Sequence, residues 1–358
     1  MSLGRRAPYD VRVATSQESG WRIVTRHPWF KPLAIVVVSL LVGWLVLRFI
    51  GKVSWSSVGE AIRSVALWEL IALIGLLLVR QAFNSVPISR FTPGLGMPRS
   101  VISDLSANLA GTIAPPPGDV VVRVAQFRTW GINPVDGMAG ATLNMLIFYG
   151  ARFAAPAIGA ALFCLHAFDT GKVLTGVVSL AIAVGIVGVL LAVLRSDAVA
   201  EKLARRAARA AQSVNADIDA QRWVDAVVDF RRRIGTTLNR GLAPALAFMV
   251  MGIVVDAGIV LASVRFVGLG ADLAPWPVVV GATLLAYPLT ILPAFGLGVM
   301  DAVVIATVVD VTGMEHESTL VAATMVWRVI TIFGTLALGA IAMAWWRATS
   351  RRHGTGAE

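Results

Sequence analysis

From Val173 to Leu194 the chain carries no charged side chain. At about 1.5 Å of rise per helical residue, such a run crosses a hydrocarbon layer of about 30 Å. Comparable, mostly apolar windows recur at residues 33–50, 66–87, 138–166, 241–266 and 318–346. A backbone in lipid must satisfy its own hydrogen bonds, which restricts spans of this length and composition to helices. The sequence therefore predicts an all-α integral membrane protein of about six full spans. A mean hydropathy of +0.75 and a charged fraction of 15% agree with this class.

The net charge of +10 raises nucleic acid as a partner, but its distribution argues against that. Six Lys or Arg precede residue 33, ten lie between Arg195 and Arg240, and Arg347, Arg351 and Arg352 close the chain. The positive-inside rule places these segments, and so both termini, in the cytoplasm. The predicted organisation is a basic tail over 1–32, a membrane domain over 33–346 and a short tail over 347–358. The first span reads as a retained anchor in the cell membrane, with Trp21, Trp29 and Phe30 suited to the headgroup belt. Within 195–240, Val199 and Leu203, then Trp223, Val224, Val227 and Val228, recur at helical spacing. This predicts amphipathic helices on the cytoplasmic surface. The single cysteine, Cys164, supports neither a disulfide framework nor a thiolate metal site.

Two apolar segments are interrupted. Residues 101–130 run into Pro115-Pro116-Pro117-Gly118-Asp119, and residues 277–312 run into Pro293-Ala294-Phe295-Gly296-Leu297-Gly298 and on to Asp301. Proline removes a donor and glycine loosens φ, so each break frees backbone groups that lipid cannot satisfy. Breaks of this kind are tolerated at membrane depth where they are buried in protein or line a cavity, which predicts two re-entrant helical hairpins. The same residues also fit an uninterrupted arrangement of up to eight spans. Thr112-Ile113-Ala114-Pro115, followed by Gly118, matches Thr290-Ile291-Leu292-Pro293, followed by Gly296, at an offset of 178 residues. The charge bias orients the long spans after the two breaks oppositely, the pattern of an inverted repeat.

Ionisable groups within these segments are costly in a bilayer and so point to function. They are Asp104, Asp119, Arg123, Arg152, Asp256, Asp301 and Arg328. Arginine offers a planar fork suited to phosphate, so Arg123, Arg152 and Arg328 are candidates to hold an anionic headgroup. Asp119 and Asp301 would pair with them, and Asn108 would donate to the same ligand. Gly118, Gly296 and Gly298 would shape the breaks beside the second half-helices, whose N-termini favour anions. The competing reading has Asp119, Asp256 and Asp301 neutralise the arginines and pin helices together. Arg80 and Arg265, near span ends, are expected to snorkel. Ala181 and Gly185, with Gly334 and Gly339, read as helix contacts.

Catalytic and cofactor motifs are weak. His27, His166, His316 and His353 lack metal-ligand spacing, and Asp217-Ile218-Asp219 reads as a solvated face, so no metal and no cofactor is expected.

The stretch Asn108-Leu-Ala-Gly-Thr-Ile-Ala-Pro115, with Gly118-Asp119 and Arg123, and the stretch Pro293-Ala-Phe-Gly-Leu-Gly-Val-Met-Asp301, with Arg328, resemble the flippase-like transmembrane region of lysylphosphatidylglycerol synthases and their stand-alone relatives. The resemblance covers roughly residues 70–346. That family carries glutamate where Asp119 and Asp301 stand, one residue fewer between Gly118 and Arg123, and a Glu-Arg pair where this chain has Ala151-Arg152. The resemblance implies movement of a lipid headgroup across the membrane, without the synthases' soluble aminoacyl-transferring domain, and so no enzyme activity. The expected partner is a membrane lipid with an anionic or aminoacylated headgroup, or a polyprenyl-phosphate-linked lipid, with room for a homo-oligomer or a partner enzyme. A membrane enzyme on a lipid-linked substrate and a non-transporting scaffold subunit are the alternatives.

Overall fold

The structure is a computed structural model that describes residues 65–354, except 115–116, 167, 215–218 and 293–295. The basic leader, the span at 33–50, the break prolines 115, 116 and 293, and Asp217 with Ile218 lie outside the described residues.

Every regular element among the described residues is helical. In order, they are α1 (Leu67–Phe91), α2 (Met97–Ile113), α3 (Gly118–Thr129), α4 (Pro134–Cys164), α5 (Thr170–Arg195), α6 (Asp197–Val214), α7 (Ala220–Phe266), α8 (Trp276–Ala286), α9 (Val299–Thr312), α10 (Glu317–Arg328) and α11 (Thr335–Gly354). A 3₁₀ turn, Tyr287–Ile291, extends α8, and a π-helical turn, Val329–Gly334, joins α10 to α11. Among the described residues, five stretches are long and apolar enough to cross a membrane: Leu67–Phe91, Pro134–Cys164, Thr170–Val193, Gly241–Phe266 and Met314–Ser350. The chain is an all-α, multi-pass membrane protein.

Local chemistry fixes several boundaries. Asn133 caps α4 by accepting from the Val135 amide at 2.9 Å, and Asp169 caps α5 by accepting from the Lys172 amide at 3.0 Å. Pro134 opens α4 at a position where no intrahelical donor is needed. Both interrupted segments form paired short helices. α2 ends at Ile113 and α3 starts at Gly118, and the two pack together; α8 with its 3₁₀ turn ends at Ile291, and α9 starts at Val299.

α7 packs on α1 and α4, and α4 also meets α5 and α8. Leu73, Leu77, Leu143, Ile147 and Met249 are buried where these elements meet. Without a strong hydrophobic drive between helices in lipid, close backbone approach supplies much of the packing. α4 and α8 touch through glycine. A Cβ on Gly159 would sit 2.7 Å from the Gly281 carbonyl oxygen and 2.8 Å from the Leu285 nitrogen. Gly159→Ala is therefore expected to cost about 1–3 kcal/mol through overpacking. Gly185→Ala, whose Cβ would meet nothing within 4 Å, is expected to be neutral or to gain up to about 1 kcal/mol of helix propensity. Thermal unfolding in detergent distinguishes the two.

Several expectations are corrected. Gly334 and Gly339 are helix contacts, against Leu77 and against Leu105 and Leu109, but Ala181 and Gly185 face outward. Arg265, in the last turn of α7, donates through its guanidinium to the carbonyls of Leu269 (2.8 Å), Gly270 (2.9 Å) and Ala274 (2.5 Å), tying the turn before α8. The helices expected within 195–240 are present, as α6 and the first part of α7, and only the separation of this region from the fifth span is corrected. The 47 residues of α7 run without a break from that region into the apolar stretch, roughly 70 Å in all. The buried ridge of α6 is Ala200, Ala204 and Ala208, with Val199 and Leu203 only half-buried. Alanines four residues apart give a shallow surface that lets a neighbouring helix approach closely, and α6 packs on α7.

Candidate functional site

The site begins with one acid. Asp256, on the apolar half of α7, is 3% exposed. Its Oδ1 lies 3.1 Å from Arg80 Nε of α1 and accepts from the Trp327 indole at 3.3 Å; its Oδ2 accepts from the Tyr287 hydroxyl at 3.1 Å. The Arg80 contact is at ion-pair distance but out of line for a hydrogen bond, so the attraction there is charge on charge. Four elements that are distant in sequence are thus gathered on one carboxylate. The expectation that Arg80 snorkels is corrected: its side chain is 18% exposed and faces Asp256 inside the bundle.

A second pair lies at the other break. Arg328 Nε donates to Asp301 Oδ1 at 2.8 Å, and Asp301 Oδ2 accepts from the Gly298 amide at 2.8 Å. Asp301 therefore neutralises Arg328 and also caps the start of α9. Gly298 at φ 83° and Gly296 at φ 68° make the turn that delivers this cap, and a Cβ on Gly296 would run into the Leu289 carbonyl. The Arg328 guanidinium carbon also lies 4.2 Å from the centre of the Trp327 ring.

Arg152 differs. It projects from α4 at 7% exposure, with its guanidinium carbon 3.7 Å above the Phe148 ring and 5.9 Å from the Tyr287 ring. Among the described residues no carboxylate lies within ion-pair distance of it, and its buried Nε has no hydrogen-bond partner. Aromatic faces supply part of what water would, about 0.5–2 kcal/mol. They do not supply a counter-charge.

These groups surround a cavity of about 70 Å³. Arg80, Arg152, Asp256 and Tyr287 form one side, and Trp327, Arg328, Thr331 and Thr335 follow α10 through the π turn into α11. Asn108 and Thr112 enter from the end of α2, and Thr290 from the 3₁₀ turn. The π turn inserts an extra residue into the helical repeat, and Thr331 and Thr335 lie within it and just after it, on the cavity wall with Arg328.

Of the residues singled out from sequence, Asn108, Thr112, Arg152, Asp256, Thr290 and Arg328 line this cavity. Asp301, Gly296 and Gly298 stand behind Arg328. Arg123 is outside the lining, bound to Asp104 Oδ1 at 2.7 Å with Ser103 Oγ at 3.5 Å, a bond that ties α3 to α2. Gly118 is pressed against α2, where its Cβ would lie 2.7 Å from that of Ala114; Asp119 is half-buried in the first turn of α3. Sequence reasoning missed Tyr287, Trp327, Thr331 and Thr335, and it placed Arg80 at the interface. Arg80 and Asp256 left a usable trace, since each is a lone charge in an apolar stretch and the two are opposite in sign. Thr331 and Thr335 left none, because a threonine within an apolar helical stretch reads the same on any face.

No curated protein matches the chain. The lysylphosphatidylglycerol synthase TM region matches it over residues 33–339, which takes in every element from α1 through the π turn and all the residues that line the cavity. The chain belongs to the lysylphosphatidylglycerol synthase transmembrane-region family.

Proposed function

We propose that the chain moves a phospholipid across the membrane by passing its headgroup through the cavity at Arg152, without catalysing a chemical step. The observation that carries this reading is a permanently charged guanidinium, buried on a cavity wall with no carboxylate at ion-pair distance among the described residues. Fixed burial of an unneutralised charge is costly unless a ligand supplies the missing charge for part of the cycle. The general role in lipid transport agrees with the family.

In this reading the two broken segments are re-entrant hairpins of an inverted repeat that enter from opposite faces, with both termini cytoplasmic. The repeat is supported by Thr112 and Thr290, matched in sequence, both lining the cavity, and by Arg152 and Arg328, which follow the two breaks, doing the same. Arg328 provides the second phosphate contact, and Asp301 releases or retakes it during the cycle. Arg123 and Asp119 act at the entrance of the first hairpin. The headgroup is anionic or aminoacylated.

The test is proteoliposomes carrying a fluorescent phospholipid, with wild type compared with Arg152→Ala and Arg328→Ala. Translocation is expected to fall about tenfold or more in Arg152→Ala, the loss of one charge-assisted hydrogen bond. Equal rates in all three proteins would remove the proposed site.

A further inference from the structure

α6 and the first part of α7 form a hairpin that takes no part in the cavity. α6 ends at Val214, α7 starts at Ala220, and the two pack on each other, so the short connection at 215–219 makes them antiparallel. The part of α7 long and apolar enough to cross a membrane begins only at Gly241. From Ala220 to Arg240 the same helix therefore runs roughly 30 Å beyond that stretch, with α6 beside it.

The two faces of α6 differ in kind. Ala200, Ala204 and Ala208 are buried, and at 3.6 residues per turn Lys202, Arg205, Arg206 and Arg209 fall on the opposite side, all four exposed. They occupy roughly 10 Å of helix. Among the described residues Glu201 is the one acid paired with them: its carboxylate lies 3.4 Å from an Arg205 nitrogen, and both side chains are about half exposed, which leaves the pair weak. Asp225 and Asp229 of α7 make no ion pair with these cations, and Asp225 accepts from Gln221 of its own helix at 3.0 Å. Four cations thus stand against one acid, bordered by the half-buried Val199 and Leu203.

Their height decides what can reach them. In a hairpin closed at 215–219, residues at equal steps from 217 lie side by side, so Arg205, Arg206 and Arg209 stand roughly 18–24 Å beyond Gly241. The headgroup layer extends about 5–8 Å past the hydrocarbon, and charge is screened over about 8 Å at physiological ionic strength. These three arginines lie beyond the pull of anionic headgroups, and their counter-charge comes from the water phase.

We infer that the outward face of α6 is a docking surface for an acidic segment of a water-soluble protein. Charge complementarity supplies the attraction, with acids of the partner set against Lys202, Arg205, Arg206 and Arg209, and an apolar side chain of the same segment rests on Val199 and Leu203. The surface is separate from the cavity, so its partner does not depend on what the cavity holds.

The experiment places the full chain in nanodiscs of zwitterionic lipid and titrates it with a fluorescent poly-glutamate peptide of about twelve residues, read by anisotropy at about 50 mM salt. Wild type is expected to bind. Changing Lys202, Arg205, Arg206 and Arg209 together to Gln is expected to weaken binding about tenfold or more, while the same change at Arg90, Arg99, Arg128 and Arg347, exposed cations elsewhere, weakens it less than about threefold. Absence of wild-type binding, or equal losses in the two variants, overturns the docking surface. A second measurement separates a soluble partner from the membrane itself. Pro244 lies one turn inside the apolar stretch and is where α7 would bend if the hairpin lay down on lipid. With Cys164→Ser and a fluorophore on Arg206→Cys in nanodiscs containing anionic lipid, aqueous iodide is expected to quench about threefold or more strongly than a doxyl-labelled lipid. The reverse order would place the cations on headgroups and overturn the protein partner.

Discussion

Arg80→Met is expected to destabilise the protein by about 3–5 kcal/mol, because it leaves Asp256 charged, buried and without a cation. The tyrosine and indole donors remain on the carboxylate, but two neutral hydrogen bonds do not replace a charge at 3.1 Å. Pairing the change with Asp256→Asn tests the origin of the loss. The amide oxygen still accepts from the Trp327 indole, its NH2 can donate to the Tyr287 hydroxyl oxygen, and the uncompensated charge is gone, so the double variant is expected to recover most of the stability. A double-mutant cycle on thermal or denaturant unfolding in detergent measures the coupling. Additive losses would mean that Arg80 and Asp256 contribute through packing alone.

Arg152→Met should behave in the opposite way. The guanidinium is buried without a carboxylate partner among the described residues, and methionine fills a similar volume without its charge. Loss of the stacking on Phe148 offsets part of the gain, so a net stabilisation of about 1–2 kcal/mol is expected. Lipid translocation is expected to fall about ten- to hundredfold in the same variant. Stability and function moving in opposite directions marks a residue kept for its ligand. A loss of both would make Arg152 a structural pin.

The membrane class, the positions of the two breaks and the family were legible in the sequence, because each is written in local composition: charge-free runs, Pro-Gly clusters and short motifs. Placing Arg152 and Arg328 after the breaks was legible for the same reason, as was the match of Thr112 with Thr290. The choice of ion partner was not. Asp256 is held by Arg80, Asp301 by Arg328 and Asp104 by Arg123, while Arg152 is left over. Any of these acids satisfied the sequence equally well, and only the helix packing selects among them. The snorkelling expected of Arg80 failed because its place near the end of an apolar window said nothing about which face of α1 meets α7. The π turn after Arg328 had no proline to announce it, although it sets the positions of Thr331 and Thr335. The buried face of α6 was misjudged because larger apolar residues outrank alanine in any hydropathy pattern, whereas close helix contact favours the small side chain.

The most direct test is an experimental density map of the full chain in nanodiscs rich in phosphatidylglycerol. Headgroup density within about 3 Å of the Arg152 guanidinium, in the space between Asn108, Thr290 and Thr335, is the predicted result. A lipid-loaded protein in which Arg152 still lies on Phe148 with no density at its nitrogen atoms, and in which the headgroup is held elsewhere, would contradict the assignment of this cavity as the path for lipid.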